Sequence, residues 1–357
     1  MKIRQEPEKN HVESRAAEAL KQLFCGGLAG SVAKTVTAPF SRLTILFQVH
    51  SMVTTKSNRP KYAMSLQGGF QKIIERGGFK SLWRGNLTSV IHRFPYSAIN
   101  FSVYENTLDA LIGMRRTHRE KVEKVEQLKR RITHVMTSEK ESREVKSSVD
   151  DNLAIYKFIA GAVAGSIAVV ACYPLDLVRT RLTTELEGHE HYRGINDAFR
   201  RILKEEGVMG FYSGIGPTLL VAVPNFAISY SVYGTLKEHA FEDELFYNLR
   251  RVDADSGEPK LGFLLTILCG AASGCIATGI TFPMDTIRRR MQIQNLHIEP
   301  NHRMTSLQQF TQLVRHEGMR SLYRGITPEM MKVIPMVGTM FVVYEWSKDL
   351  LDVKHNR

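Results

Sequence analysis

One combination of glycines and a proline occurs three times in this 357-residue chain and constrains its fold more than any other feature. Each copy consists of a G-x-x-x-G motif and a proline nine positions beyond the second glycine. The copies are 26–30 with Pro39, 161–165 with Pro174 and 270–274 with Pro283. Self-similarity at a fixed period is typical of repeat architectures, so we predict three structural repeats of about 100 residues each.

Each repeat contains two long segments that are rich in apolar residues but carry one polar stripe. The six segments are 17–48, 86–113, 153–183, 215–240, 261–292 and 327–351. None has the roughly 20 uninterrupted apolar residues of a simple lipid-spanning helix. Polar side chains are tolerated in a membrane, however, where helices enclose a water-filled cavity. We therefore predict an all-α membrane protein with six tilted transmembrane helices in three pseudo-symmetric repeats.

The same glycines and prolines predict how these helices pack. Small residues four positions apart let neighbouring helices approach closely in lipid; ordinary packing in a soluble helical bundle is the alternative. Pro39, Pro174 and Pro283 lie inside helical segments, where a proline removes a backbone hydrogen bond and kinks the helix. Kinks at three equivalent points predict a bundle that narrows at one end.

The charge balance restricts the class of partner. There are 48 Lys and Arg residues against 36 Asp and Glu, a formal net charge of +12, which favours anionic partners such as a nucleotide-like solute or acidic lipid. Nucleic acid is disfavoured, because the basic residues occupy repeat positions in apolar helices. The four cysteines have no metal-binding spacing. No nucleophile, metal cluster or carboxylate pair recurs outside the charged motifs described below. We therefore predict no metal, no cofactor and no enzyme.

The residues after the three prolines, together with motifs at 78–85, 207–214 and 318–325, resemble the signature of the mitochondrial carrier family. That signature is P-x-[DE]-x-x-[KR]-x-[KR] followed by [DE]-G-x4-[WYF]-[KR]-G. The likeness is nearest to the coenzyme A, ATP-Mg/phosphate and adenine nucleotide branch. It divides the chain into an N-terminal tail (1–16), carrier repeat 1 (17–113), a charged insertion (114–152), carrier repeat 2 (153–240), a loop (241–260), carrier repeat 3 (261–351) and a C-terminal tail (352–357).

This resemblance implies a location and a topology. We expect a monomer in the mitochondrial inner membrane with both termini toward the intermembrane space. Each repeat should carry a short matrix-side amphipathic helix, near 65–75, 195–204 and 306–315. Cardiolipin should bind where Gly85, Gly214 and Gly325 precede the even-numbered helices, since exposed N-terminal amides favour anions. The first 21 residues contain no acidic calcium-binding loop, so calcium regulation is not expected.

The resemblance also implies a gate on the matrix side, closed by charged residues that pair between repeats. Its positions here are Ser41, Thr44, Gln48, Asp176, Arg179, Asp285, Arg288 and Gln292. Only Asp176 with Arg288 keeps both charges of an inter-repeat pair. Asp285 would face Thr44, and Arg179 would face Ser41. Gln48 and Gln292 occupy the positions of bracing glutamines.

A second gate is implied on the cytoplasmic side. Its positions are Tyr104, Glu105, Tyr233, Lys237, Tyr344, Glu345 and Lys348. Glu105 with Lys237 is the one pair expected to form. Because a lone exposed ion pair contributes only about 0–1 kcal/mol, two incomplete gates predict modest barriers between the inward-open and outward-open states.

The family's solute-contact positions fall on His92, Val221 and Lys332, each three residues before a proline of an even-numbered helix. Arg93 and Ala222 follow the first two, Lys34 adds a positive charge on the first helix, and Arg289 is a further candidate. Two cationic walls and one small apolar wall suit an anion with a phosphate end and a flat apolar end. The alternative is that His92 only packs and Arg93 reaches lipid phosphate.

We therefore predict an antiporter of adenine-containing anions, with coenzyme A exchanged for ADP or another adenine nucleotide as the leading case. The alternatives are an ATP-Mg/phosphate-type carrier without calcium regulation, a carrier of another anion, and a scaffold or uncoupling-type channel. For the insertion 114–152, a solvated charged loop is favoured over an amphipathic helix on the membrane or on a partner.

Overall fold

The structure, a computed structural model, describes residues 6–54, 65–132, 141–185, 191–242, 250–252, 259–261, 263–298 and 302–351. The chain forms two compact units, Met1–Arg93 with Tyr173–Arg357 as one and Phe94–Cys172 as the other. The boundaries between the units fall inside two long helices.

Each repeat supplies a long helix, a short helix and a second long stretch of helix. The helices are α1 (Glu6–Thr54), α2 (Leu66–Gly77), α3 (Asn86–Ile132), α4 (Glu141–Thr184), α5 (Ile195–Glu205), α6 (Gly207–Gly210), α7 (Ile215–Glu242), α8 (Phe263–His297), α9 (Ser306–Glu317), α10 (Ile326–Met331) and α11 (Val333–Leu350). Within the larger unit, α1 packs against α8, α10 and α11, and α7 packs against α8.

The three short helices lie where the sequence predicted them, as α2, α5 and α9. Their ends are fixed locally. The Ser65 hydroxyl accepts a hydrogen bond from the Gly68 amide and caps α2. Thr305 and Gln308 form a capping box at the start of α9. The positions of the three short helices are confirmed, and their location on the matrix side stays a prediction.

Two long helices run beyond their predicted ends. α1 begins at Glu6 rather than at 17, and Pro7 is tolerated there because it lies in the first helical turn. α3 continues to Ile132 and α4 begins at Glu141, so the favoured loop interpretation is wrong for 114–132 and 141–152. The insertion contains neither glycine nor proline, and its many Lys, Arg and Glu residues are good helix formers.

The predicted loop 241–260 contains regular structure as well. Strands β1 (Arg250–Val252) and β2 (Pro259–Leu261) pair in antiparallel fashion, with Arg251 opposite Lys260. The tail 352–357 lies outside the described residues.

Four helical stretches in the described part of the chain are long and apolar enough to cross a membrane. They are Ile159–Thr184, Gly207–Phe241, Leu265–His297 and Met319–Leu350. The other two predicted spans lie in α1 and α3, where Ser, Thr, Asn and charged residues interrupt the apolar sequence.

The prolines lie inside continuous helices, as predicted for Pro39, Pro174 and Pro283. A proline leaves the carbonyl four residues earlier without its helical donor. For Pro39 this carbonyl belongs to Thr35, and the indole Nε1 of Trp83 donates a hydrogen bond to it at 2.8 Å. The aromatic residue of the second motif therefore satisfies the backbone group that the first motif's proline exposes.

The G-x-x-x-G glycines pack differently from the prediction. Among the described residues, a Cβ atom added at Gly26, Gly270 or Gly274 would meet no neighbour within 4 Å. At Gly30 the neighbour is the Arg93 side chain, whose Nε would lie 2.4 Å from such an atom. In the larger unit the prediction of close backbone approach at these glycines is therefore wrong, and Gly30 makes room for a guanidinium group instead.

Close approach occurs at the glycines that end the second motif. Gly85, Gly214 and Gly325 have φ angles of 82°, 83° and 93°, where residues with a Cβ atom are disfavoured. A Cβ atom at these positions would lie 2.4 Å from Thr183 Oγ1, 3.1 Å from Met291 Cβ and 2.8 Å from the Thr44 carbonyl oxygen, respectively. Each glycine therefore packs against the long helix of the next repeat, in the order 1 to 2, 2 to 3 and 3 to 1.

Buried arginines follow the same order between repeats. Arg181 Nε donates to the carbonyl of Gln292 at 3.1 Å, which links repeat 2 to repeat 3. Arg290 Nε donates to the carbonyl of Gln48 at 3.1 Å, which links repeat 3 to repeat 1. Repeat 1 has Leu46 at the equivalent position, and Arg42 Nη2 instead donates to the carbonyl of Glu185 at 2.8 Å.

Repeat 1 also replaces an ion pair with an apolar contact. In repeat 2, Arg181 forms two hydrogen bonds with the carboxylate of Glu206, which precedes the motif glycine. Repeat 1 has Gly77 at the position of Glu206 and Leu46 at the position of Arg181. Leu46 packs on the buried cluster of Leu43, Ile73 and Leu82. Because removing one partner of a buried ion pair is costly, the two charges are lost together.

The closeness of Gly325 to repeat 1 gives a stability prediction. Gly325→Ala would place a methyl group against the Thr44 carbonyl at positive φ, and we expect it to lower the free energy of unfolding by about 2 kcal/mol. Gly338→Ala, in the middle of α11 with no neighbour within 4 Å among the described residues, should instead raise it by about 0.5–1 kcal/mol.

Thermal unfolding in detergent measures both changes. It is monitored through the reaction of a fluorogenic maleimide with Cys25 and Cys269, which are buried in the folded protein. Equal unfolding temperatures for the two variants would contradict the contact.

Candidate functional site

A network of polar side chains joins α4 of repeat 2 to α8 of repeat 3, just beyond the two prolines. The Asp176 carboxylate accepts a hydrogen bond from Arg288 and forms an ion pair with it. Gln292 Nε2 donates to the same carboxylate at 3.0 Å and to the hydroxyl of Tyr173 at 3.3 Å. The charges expected to pair are therefore in contact, with Gln292 in the bracing position. That this pair acts as a gate stays a prediction.

Arg289 belongs to the same network. Its Nη1 donates to Thr180 Oγ1 at 2.6 Å and to Gln292 Oε1 at 3.1 Å, and it lies 3.8 Å from Asp176 Oδ2. The structure thus places this candidate solute residue among the side chains that join repeats 2 and 3.

The contact between repeats 3 and 1 is weaker. Asp285 Oδ2 accepts from Gln48 Nε2 at 3.4 Å, and Asp285 Oδ1 lies 3.5 Å from Arg288 Nη1 on its own helix. Thr44, the expected neighbour of Asp285, donates its hydroxyl hydrogen to the Phe40 carbonyl of its own helix. A neutral glutamine one turn beyond Thr44 therefore supplies the inter-repeat contact.

Between repeats 1 and 2, Ser41 and Arg179 line one small cavity, as their predicted proximity requires. Its volume is about 30 Å³, which holds water but no nucleotide. Lys34, Arg42 and Arg84 line it too.

The predicted solute residues converge electrostatically. The ammonium group of Lys34 on α1 interacts with the charges of Arg93 on α3, Arg179 on α4 and Lys332 at the end of α10. His92 interacts with Lys34, and also with Asp176, Arg179 and Arg288. We name Lys34, Arg93, Arg179 and Lys332 the cationic cluster, and His92 lies beside it. Four helical segments from all three repeats supply it.

A larger cavity adjoins Lys332. It has a volume of about 490 Å³, within the range of small-molecule sites, and lies between α8 and the α10–α11 segment. Glu329, Lys332 and Thr278 are polar members of its lining, whereas Val333, Met336 and Val337 are among its apolar members. The cavity therefore offers an apolar surface next to a cation.

The proposed apolar wall of the solute site lies on α7. Val221 is buried and Ala222 is partly buried. Their contact with a solute stays a prediction.

The cytoplasmic-gate residues are divided between the two units. Tyr104 and Glu105 belong to the smaller unit and the others to the larger one, so the pairing of Glu105 with Lys237 stays a prediction. Within the larger unit, the ammonium of Lys237 lies 5.8 Å from the Phe241 ring centre, and that of Lys348 lies 5.3 Å from the Tyr344 ring centre. Glu345 is partly buried on the same helix as Lys348, and Tyr233 packs on the buried cluster that contains Ala240.

Sequence reasoning missed a second set of charged contacts, which involves Arg84 with Glu185 and Arg181 with Glu206. Glu185 accepts from Arg84 Nη2 at 3.0 Å and from the Tyr192 amide at 2.7 Å. Burial disfavours ionisation of Glu206, but Arg181 outweighs this effect and holds the pKa of Glu206 below its ordinary value. Burial raises the pKa of Tyr192 to about 12, so its hydroxyl stays neutral when it accepts from Arg181.

A signal for these contacts was present in the repeats. Positions 181 and 206, and likewise 290 and 317, are charged together, and both charges are absent from repeat 1. Arg290 Nη2 lies 3.6 Å from Glu317 Oε1. Joint loss at two positions indicates contact between them.

Over the described residues, no group of three or more His, Cys, Asp and Glu side chains is placed to hold a metal ion.

Comparison with known proteins gives one family. A family model described as mitochondrial carrier protein matches residues 15–115, 151–244 and 259–355. The mitochondrial adenyl nucleotide antiporter SLC25A24 of Bos taurus is 33% identical over 341 residues, which cover 96% of this chain and 60% of that protein. The antiporter SLC25A25 of Mus musculus is 36% identical over 336 residues, which cover 94% of this chain and 60% of that protein. The calcium-binding mitochondrial carrier protein SCaMC-2 of Xenopus laevis is 36% identical over 335 residues, which cover 94% of this chain and 54% of that protein. The chain thus spans little more than half the length of these relatives.

The asymmetry of the network gives a prediction that uses one chemical change at two equivalent positions. Asp176→Asn leaves Arg288 without its buried counter-charge and should lower the free energy of unfolding by about 3–5 kcal/mol. Asp285→Asn, whose side chain is 30% exposed against 12% for Asp176, should lower it by about 0–1 kcal/mol.

The midpoints of thermal unfolding of the two purified variants in one detergent test this difference. Equal destabilisation would contradict the prediction, because it would mean that Asp176 and Asp285 contribute equally to stability.

Proposed function

Because the chain belongs to the mitochondrial carrier family, we propose that it is an inner-membrane antiporter of adenine-containing anions. Six membrane-crossing helices in three repeats carry this activity, and the protein works as a monomer without enzymatic chemistry. The observation that carries the proposal is the convergence of the cationic cluster from all three repeats. Adenyl nucleotide antiporters among the relatives support the class of solute.

The geometry supports a binding mode for such a solute. Phosphate groups pair with Lys34 and Lys332, which lie on different repeats and so can both bind one anion. The adenine ring occupies the apolar surface beside Lys332, where Val333 and Met336 line the larger cavity. Coenzyme A and ATP-Mg both offer a phosphorylated adenine moiety, so either is a possible cargo.

Transport follows from alternating access to this cluster. The contact of Asp176 with Arg288 and Gln292 closes the passage between repeats 2 and 3 on the matrix side. Binding of the solute phosphates draws the cationic cluster together and lets this network separate. In the contact between Gln48 and Asp285 one partner is neutral, and the Asp285 side chain is more exposed than that of Asp176, so this contact separates more easily.

Lipid binding forms a second part of the proposal. Gly85, Gly214 and Gly325 precede α3, α7 and α10, and we propose that anionic head groups of cardiolipin bind at these helix starts. Arg84 and Arg324 stand beside two of these glycines, whereas Ser213 replaces the arginine in repeat 2. The second site is therefore the weakest of the three.

Reconstitution tests the transport proposal. Purified protein in liposomes loaded with ADP should take up labelled ATP, ADP, adenosine 3′,5′-diphosphate or coenzyme A, and should exclude dicarboxylates. Lys34→Ala and Lys332→Ala should each reduce uptake at least tenfold, since each removes a charge from the cluster.

Lys204→Ala, the same change at an exposed position on α5, serves as the control and should transport normally. Uptake of dicarboxylates alone by the unaltered protein would refute the nucleotide assignment. Uptake of phosphate without any adenine compound would do the same.

A further inference from the structure

One acidic side chain lies within the cationic surroundings of the proposed solute site. Glu329 on α10 accepts a hydrogen bond from the ammonium group of Lys332, three residues further along the chain, and forms an ion pair with it. Both side chains line the cavity of about 490 Å³ between α8 and the α10–α11 segment. They are similarly accessible, at 21% and 20% exposure.

Glu329 contacts one member of the cationic cluster, Lys332. Its charge interacts with Arg179 on α4, which is itself a member of the cationic cluster. Asp176, the other carboxylate near these cations, is already bound by Arg288 and Gln292 and holds two repeats together. Glu329 contacts only Lys332 among the ion pairs of the described residues, so a bound anion can replace it there.

We propose that Glu329 is a specificity-determining residue that restricts the negative charge of the solute. This inference rests on the proposed function, because it concerns the adenine nucleotide that the cluster binds. A phosphate that approaches Lys332 must displace the Glu329 carboxylate and then remain beside it in the same cavity. Repulsion between the carboxylate and the phosphates grows with each negative charge of the solute. The site therefore favours a nucleotide whose charge is partly neutralised, such as one that carries a divalent cation.

The test uses the full-length protein in liposomes loaded with ADP and two series of labelled external nucleotides. The first compares ATP in excess magnesium with ATP in excess chelator. The second, in chelator throughout, compares AMP, ADP and ATP. The unaltered protein should prefer the magnesium complex and, without metal, the less charged nucleotides. Glu329→Gln should lower both preferences about tenfold, since it removes one unit of like charge at short range.

Two variants control the comparison. Glu329→Asp keeps the charge and should keep both preferences, which separates the charge from the shape of the side chain. Glu75→Gln makes the same chemical change on the exposed face of α2 and should leave both preferences as they are. Thermal unfolding of each variant establishes that it is folded.

Each outcome decides the question. Absence of any nucleotide uptake by the unaltered protein would refute the proposed function itself. With uptake present, unchanged preferences in Glu329→Gln would refute the role of Glu329. A change in the magnesium series alone would also overturn the inference, because it would show direct contact with the metal ion rather than a restriction on charge.

Discussion

The arrangement of this protein depends on how each repeat is joined to the next at one end of its helices. A glycine at positive φ lets the start of an even-numbered helix lie against the following repeat, and a buried arginine donates to a carbonyl of that repeat. Repetition of both contacts in the order 1 to 2, 2 to 3 and 3 to 1 makes the set self-closing. Because an unpaired buried guanidinium is costly, the contacts also fix the register of the helices, and hence the positions of the predicted gate and solute residues.

Repeat 1 makes the same connections between repeats with different side chains. Leu46 and Gly77 stand where the other repeats have an arginine and a glutamate, and an apolar cluster replaces the ion pair. Arg42 takes over the inter-repeat bond from a different turn of α1. Well-packed apolar residues often substitute for a buried ion pair without loss of stability. The repeats are therefore equivalent in geometry but unequal in how firmly they are held, and repeats 2 and 3 share the denser network.

The distribution of charge in the cationic cluster supports the proposed transport of an anion. Cations from α1, α3, α4 and the end of α10 repel one another, and in the proposed function an anionic solute relieves that repulsion by binding among them. Glu329 relieves part of it when the solute is absent. In the proposed mechanism, the binding energy of a solute depends on the difference between its own charge and that of the Glu329 carboxylate that it displaces, so a single residue affects selectivity.

The sequence by itself determined the repeat, the family, the three short helices and the pairing of Asp176 with Arg288, because each depends on periodic spacing or on motifs with fixed positions. The family resemblance also predicted that His92 and Lys332 occupy solute-contact positions, with Lys34 as a further charge on the first helix. Tertiary structure alone decided the rest. In the structure Gln48 contacts Asp285, Arg289 belongs to the network between repeats 2 and 3, and the Arg93 side chain packs against Gly30. These contacts join residues far apart in the chain, and they depend on side-chain reach and on how closely two backbones approach, which no local pattern encodes.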